Sequence, residues 1–325
     1  MKVPRRTFLR LATSSAALPM LPPLARAQAY PLRPVHMFVG FAAGQAIDVL
    51  ARLIGQWLSE RLGQQFVIEN RPGAGGNIAA DAVVRAPADG YTLLVIGANN
   101  AINTTLYKKL NFNLLRDVAP VAGIYRVRQV MEVHPSFPAR TVAEFITYAK
   151  ANPGKINFAS AGNGSVAHVS AELFKMMADV NMVHVAYRGA PAALTDLFGG
   201  HVHVMFDNLP SSIEYIKTGS LRALGVSSPA RLDLLPDVPA VAETVPGFET
   251  AAFAGIGAPR DTSAAIIDRL SAEVNAGLAD PALQARINEL GGTPMPLSPT
   301  EFANLIGEET QKWGKVIRTA NISIE

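Results

Sequence analysis

The chain contains no cysteine. Disulfides, thiolate metal sites, iron–sulfur clusters and cysteine nucleophiles are therefore excluded. After the first 27 residues it also lacks any apolar run long enough for a membrane span, and no Lys/Arg cluster is interleaved with aromatics as a nucleic-acid or anionic-membrane surface would require. Two catalytic fingerprints are missing as well. Gly73-Ala74-Gly75-Gly76 follows an apolar run but is not G-x-G-x-x-G, because position 78 is Ile, which argues against a dinucleotide fold. No G-x-S-x-G elbow surrounds Ser160 or Ser165.

What is present begins with an address. Met1 to Ala27 carries Lys2, Arg5, Arg6 and Arg10, then a short apolar stretch broken by Pro19, Pro22 and Pro23, then the small-residue triplet Ala25-Arg26-Ala27. This is the layout of a cleaved export signal, and Arg5-Arg6-Thr7-Phe8-Leu9-Arg10 matches the twin-arginine type. Export to the periplasm is expected, with the mature chain starting near Gln28. The leader holds five basic residues and no acidic one; taking them from the formal +3 of the whole chain leaves −2. The apparent basicity belongs to the leader.

The remaining 298 residues exceed a usual single core and predict two lobes. Short apolar runs alternate with helical patterns, which predicts an α/β fold. Val35 to Phe41 reads as a strand, and Ile47, Leu50, Ala51, Ile54, Trp57, Leu58 and Leu62 recur at helical spacing until Gly63. Phe66 to Asn70 and Tyr91 to Ile96 are further strands, with a helix around Ile78 to Arg85 between them. The same grammar repeats with strands at Asn157 to Ala159, Met182 to Val185 and Val202 to Phe206, and a helix through His168, Leu173 and Met177. Thr141 with Glu144, and Ser298 with Glu301, are capping boxes that open helices. Extended segments near Tyr125 to Arg128 and Thr250 to Phe253 are expected to join the lobes.

Loops that leave strand ends and enter helices suit an anion, because first-turn N–H groups are unpaired and the helix dipole favours negative charge. Ala42, Ala43 and Gly44, the Gly73 to Gly76 turn, and Gly162, Asn163, Gly164 and Ser165 have the small residues such a site needs. Each also reads as an ordinary tight turn.

Taken in order, Val39 to Gly44 with Asp48 and Arg52, Glu69 to Asn77, Ala88 to Leu93, Asn152 to Lys155, Ser160 to Ser165 with His168, His184 to Gly189, Pro236 to Pro239 with Glu243, and Trp313 resemble the Bug family. These are extracytoplasmic solute receptors of tripartite tricarboxylate transporters. The resemblance implies a two-lobed periplasmic binding protein fold of type II, with lobe 1 over 28–126 and 252–325, lobe 2 over 127–251, and a ligand cleft between them. It further implies a non-enzymatic monomer without cofactor or metal, which binds a small organic anion and delivers it to the membrane components of such a transporter. Carboxylates, dicarboxylates, acidic amino acids and aromatic acids are the candidate ligands. The implied site comprises Ala42, Ala43, Gly44, Asp48, Asn99, Ser160, Gly162, Asn163, Gly164, Ser165, His168 and Asp207, with Asp207 placed to meet a ligand amine.

The segment Gly44-Gln45-Ala46-Ile47-Asp48 departs from the family's usual second glycine and hydroxyl residue. If position 45 requires φ > 0, Gln45 is strained; if Ile47 faces the ligand, the cleft is less polar. Ile47 packing in the first helix is the other reading. Val166 departs similarly. Two other functions remain open: a periplasmic sensor that uses the same cleft, and a serine hydrolase built on Ser165. His168 is expected to brace the loop, His201 and His203 to be structural, His36, His134 and His184 to pack or lie at the surface, and Tyr187 and Arg188 to line the rim.

Overall fold

A computed structural model describes residues 30–324. The export leader expected over residues 1–27 lies outside the described residues. Strand β1 (Val35–Val39) buries Val35, Met37 and Val39, whose alternation suits one face of a pleated strand. Helix α1 (Ala46–Leu62) turns Leu50, Ile54 and Leu58 onto the sheet at four-residue spacing, and Gly63 ends it at φ 70° with its N–H on the Ser59 carbonyl. Strand β2 (Phe66–Asn70), helix α2 (Asn77–Val84) and strand β3 (Thr92–Gly97) follow, with β1 parallel to both β2 and β3. The first strand stops at Val39 rather than Phe41. Gly40 passes so close to the Gly76 backbone that a β-carbon there would lie 2.5 Å from Gly76 Cα.

Helices α3 (Ala98–Leu106) and α4 (Leu114–Asp117) lead into β4 (Val118–Val133), a strand of 16 residues. The second parallel set comprises α5 (Val142–Ala151), β5 (Ile156–Ser160), α6 (Val166–Ala178), β6 (Met182–Ala186), α7 (Ala190–Phe198), β7 (Val204–Asn208), α8 (Leu209–Lys217) and β8 (Arg222–Val226). The chain then returns through β9 (Ala251–Pro259), α9 (Ala264–Leu278), α10 (Pro281–Glu289), β10 (Thr293–Pro294) and α11 (Pro299–Thr319). The strands run in the order β2-β1-β3-β9-β4-β7-β5-β6, with β8 and β10 also on β4.

Strand β4 carries both lobes. Its first part pairs antiparallel with β9 from Val118 opposite Pro259 to Arg128 opposite Ala251, and its last part, from Gln129, pairs with β7. The two segments expected to connect the lobes are thus hydrogen-bonded to each other, Arg126 opposite Phe253. Each lobe has helices on both faces of its sheet. In the first, α1 and α9 pack one face through Ile54, Leu58, Leu270 and Val274, while Ile102, Phe302 and Trp313 cover the other. In the second, Phe145, Phe158, Phe174, Phe206 and Phe248 form one aromatic core. Full burial of each such side chain contributes about 1.5–3 kcal/mol, so each lobe has a core of its own.

Candidate functional site

Because β1, β2 and β3 run in one direction, their carboxyl ends deliver residues 40–45, 71–76 and 97–99 to one edge. The parallel β5, β6 and β7 deliver residues 161–165, 187–189 and 208 in the same way. The two edges meet. Asn99 Nδ2 donates to the Gly164 carbonyl at 3.4 Å, and a β-carbon on Gly164 would lie only 2.0 Å from Leu106 Cδ2. Helices α1, α7 and α8 begin at Gln45, Gly189 and Asn208 without a side-chain cap. Proline removes one first-turn N–H from α7 and from α8, and the Asp48 N–H of α1 is bonded to the Gln45 carbonyl; the other first-turn N–H groups have no side-chain cap and suit an anion.

In the first lobe Ala42, Ala43 and Gly44 are exposed. Gly44 has φ 84° and open space where a side chain would be. Asp48, 2% exposed, buttresses this loop. It accepts from the Gly44 N–H at 2.8 Å, Arg52 Nε at 3.1 Å and Asn70 Nδ2 at 2.8 Å, while Asn70 also donates to the Phe41 carbonyl at 3.0 Å. Burial raises the Asp48 pKa, but the bonds from Arg52, Gly44 and Asn70 outweigh it and hold the carboxyl below its ordinary range. Gln45 adopts φ −74° and is unstrained; the positive φ falls on Gly44 instead. Ile47 packs against the first core, with Cδ1 3.1 Å from the β-carbon position of Gly97.

In the second lobe the loop from Ser160 is held from beneath. Ser160 is fully buried, and its Oγ contacts His184 Nε2 at 2.6 Å and accepts from the Gly162 N–H at 3.2 Å. Gly164 N–H donates to His168 Nδ1 at 3.1 Å, and Ser165 caps α6 by accepting from the His168 backbone N–H at 3.3 Å. His168 braces the loop as the sequence leads one to expect. His184 does so too, which sequence reading missed. The two imidazoles stack at 3.7 Å, and Phe158, opposite His184 in the strand register, stacks on His184 at 4.8 Å. Burial, the neighbouring His184 and Lys175 push His168 down to about 3; burial and Lys175 push His184 down to about 4. Both rings are neutral at pH 7, and the Gly164 bond places the His168 proton on Nε2.

The hydroxyl expected of a serine nucleophile thus serves as a helix cap at Ser165, whereas the serine touching an imidazole is the buried Ser160. Asn163 is exposed and Asn99 half-buried at the meeting line. Asp207 is only 3% exposed and shares Ser212 Oγ, at 3.1 Å, with the fully buried Glu132, at 2.8 Å. Burial raises Asp207 to about 6. Tyr187 donates to Asp196 at 2.5 Å, and Arg188 is exposed. His203 Nδ1 accepts from the Asn157 N–H at 2.9 Å. Among the described residues no three His, Cys, Asp or Glu side chains gather at metal-binding distance.

A cavity of about 530 Å³ opens beside the first loop. Gly44, Ala46 and Val49 line it on one side, Leu209, Pro210 and Ser211 of α8 on the other, and Asn288 to Gly291 close one end. Gly44 is the one sequence-predicted site residue in that lining. A second cavity of about 480 Å³ lies where the strands change lobes, lined by Arg126, Glu249, Phe253, Glu309 and Lys312 among others.

A family model described as a tripartite tricarboxylate transporter family receptor matches residues 50–322. Protein BugT of Bordetella pertussis is 33% identical over 318 residues, 97% of this chain and 96% of its own length. A protein of the tcbD-tcbE intergenic region of Pseudomonas sp. strain P51 is 36% identical over 313 residues, 95% of this chain and 93% of its own. Among solved structures, an R. palustris protein with adipate superposes with a TM-score of 0.81 at 38% identity, covering 90% of this chain and 99% of that one. MatC from Rhodopseudomonas palustris with bound malate gives 0.77 at 32% identity, covering 89% and 100%, and the periplasmic binding protein BugD gives 0.77 at 31%, covering 91% and 100%. The two α/β lobes are therefore those of a periplasmic solute-binding protein, and the chain belongs to the Bug family of tripartite tricarboxylate transporter receptors.

Proposed function

We propose that the protein is a non-enzymatic periplasmic receptor that captures a small organic anion with one or two carboxylates and presents the closed complex to the membrane components of a tripartite tricarboxylate-type transporter. The observation that carries this reading is the meeting of two sets of strand ends and uncapped helix starts, bridged by Asn99 and Gly164. Backbone N–H groups of Ala42 and Ala43 take one carboxylate beside Gly44, whose own N–H is held by Asp48, and the Gly162 to Ser165 loop faces it from the other lobe. Several N–H donors replace a buried arginine, which avoids the desolvation cost of an imperfect ion pair. Asp48, His168 and Ser160 act by holding these loops. A division into 28–126 with 252–325 and 127–251 is supported by β4 exchanging β9 for β7 close by, between Arg128 and Gln129, and closure is a bend there.

Ile47 packs into the first core, and it is Val49, Leu209 and Pro210 that make part of the cavity wall apolar, which favours a dicarboxylate with a methylene chain over a short hydroxylated one. The relatives solved with adipate and with malate support the class. Thermal melts with dicarboxylates of four to nine carbons test it. A ligand present at 100 times its dissociation constant stabilises the folded state by about 2.7 kcal/mol, or roughly 5–11 °C for a chain of this size at about 2–4 °C per kcal/mol. No shift with any of them, or turnover of the ligand, contradicts the proposal.

A further inference from the structure

The wall of the cleft formed by α8 rests on two buried acids, Glu132 of β4 and Asp207 of β7. Between them stands Ser212 of α8, with Oγ 2.8 Å from Glu132 Oε1 and 3.1 Å from Asp207 Oδ2. A hydroxyl has one hydrogen to give. It serves one carboxylate, and the other contact is a hydrogen bond only if that carboxyl brings a hydrogen of its own. Glu132 fits this role, since its Oε2 is buried without a partner among the described residues.

Among the described residues no cation pairs with either acid. Arg222 of β8 is spent on the carbonyls of Pro135, Phe137 and Ala139, and Lys217 of α8 pairs with Glu214. The remaining groups facing Asp207 are the Asn208 N–H and the hydroxyls of Ser211 and Ser212. Burial and the adjacent Asp207 push Glu132 well above the ordinary carboxylate range, as expected for an acid buried without a counter-charge.

We infer that Glu132 stores a proton in the free receptor, and that the receptor takes up a further one with its anionic ligand, received by Asp207 on the other side of Ser212. This rests on the carboxylate-receptor reading above. Asp207 adjoins Asn208, which starts α8, and the first turn of α8 lines the cavity of about 530 Å³ opposite Gly44 and Ala46. An anion seated there adds negative potential beside Asp207 and raises its affinity for a proton. The proton in turn removes a like charge from beneath the anion, and linkage makes the two effects equal. Asp207, nearly inaccessible, then influences the ligand through its charge rather than by contact.

The ligand-free protein gives the first test. Its infrared spectrum at pH 7 should show the carbonyl band of a protonated carboxyl, absent from Glu132→Gln; no such band, or an unchanged band in the variant, overturns the stored proton. Loss of the band on adding sodium or calcium chloride, with a raised Tm, would instead make the pair a cation site. The second test is calorimetry with adipate near pH 6.5 in two buffers of different ionisation heat. Net uptake of a fraction of a proton per ligand, abolished in Asp207→Asn, supports the coupling; binding with no proton exchange refutes it. If adipate and the other dicarboxylates give no binding, the receptor reading and the coupling fall together, while the infrared band still decides the stored proton.

Discussion

Replacing Gly164 by alanine tests the meeting of the two lobes most directly. Gly164 has φ 72°, and its new β-carbon would lie 2.0 Å from Leu106 Cδ2. Alanine in that backbone region costs about 1–2 kcal/mol. Carbon atoms rest at about 3.5–4.0 Å, so roughly 1.5–2 Å of separation must be created. Leu106 is 4% exposed and packed in a core, which makes the loop the softer partner. Its retreat breaks the Asn99 bond to the Gly164 carbonyl, at 3.4 Å, and pulls the Gly164 N–H from His168 Nδ1, at 3.1 Å. Each hydrogen bond is worth about 0.5–1.5 kcal/mol, so an affinity loss of about 1–2 kcal/mol, roughly 5- to 30-fold, is expected. Calorimetric titration with the dicarboxylate found by thermal melts measures it. Leu106→Ala alone should cost about 2–5 kcal/mol of stability. Added to Gly164→Ala it removes the colliding methyls and should restore part of the lost affinity, a coupling within the usual range of about 0.5–3 kcal/mol. Unchanged affinity in Gly164→Ala, or strictly additive losses in the double variant, would refute the placement of this contact in the site.

Three other predictions follow from the loops and the leader. Asp48→Asn should lose about 1–2 kcal/mol of stability in urea, because it weakens charge-assisted bonds from Arg52 and the Gly44 N–H. The lowered pKa of Asp48 means that the parent keeps this contribution above pH 3.8 and loses it as pH falls through the folded value, a loss the variant should not show. His168 and His184 stay neutral in the folded protein while the unfolded chain gains protons, so stability should decline as pH drops from 6.5 to about 4 and then about 3, with a shallower decline in His168→Gln. Replacing both Arg5 and Arg6 by lysine should leave unprocessed precursor in the cytoplasm, detected by fractionation; normal export would assign the general secretory route.

How far the fold can be read in advance depends on the range of the contacts. The box at Ser298 and Glu301 closes within three residues, Ser298 N–H to Glu301 Oε2 at 2.9 Å and Glu301 N–H to Ser298 Oγ at 3.3 Å, and it is legible from four letters. The apolar period of α1 and its glycine stop are local in the same sense. The length of β4 is not, since Pro120 and Gly123 argue against a strand, and only pairing with β9, with register irregularities at those places, keeps it extended.

The site divides along the same line. The small residues at 42–44 and 162–165 mark loops that leave strand ends, because backbone freedom is a property of the residue itself. What lies under the loops is invisible there: Ser160 meets His184, Ser170 and Thr250 meet Gln129, and Ser212 joins Glu132 to Asp207, contacts that cross elements distant in sequence. Composition and local pattern, on their own, determined the absence of thiol chemistry, the expected export, the α/β class and the glycine-rich loops. Only the tertiary structure decided which polar groups share a buried environment, because a proton's affinity and a loop's rigidity depend on neighbours that chain order does not name.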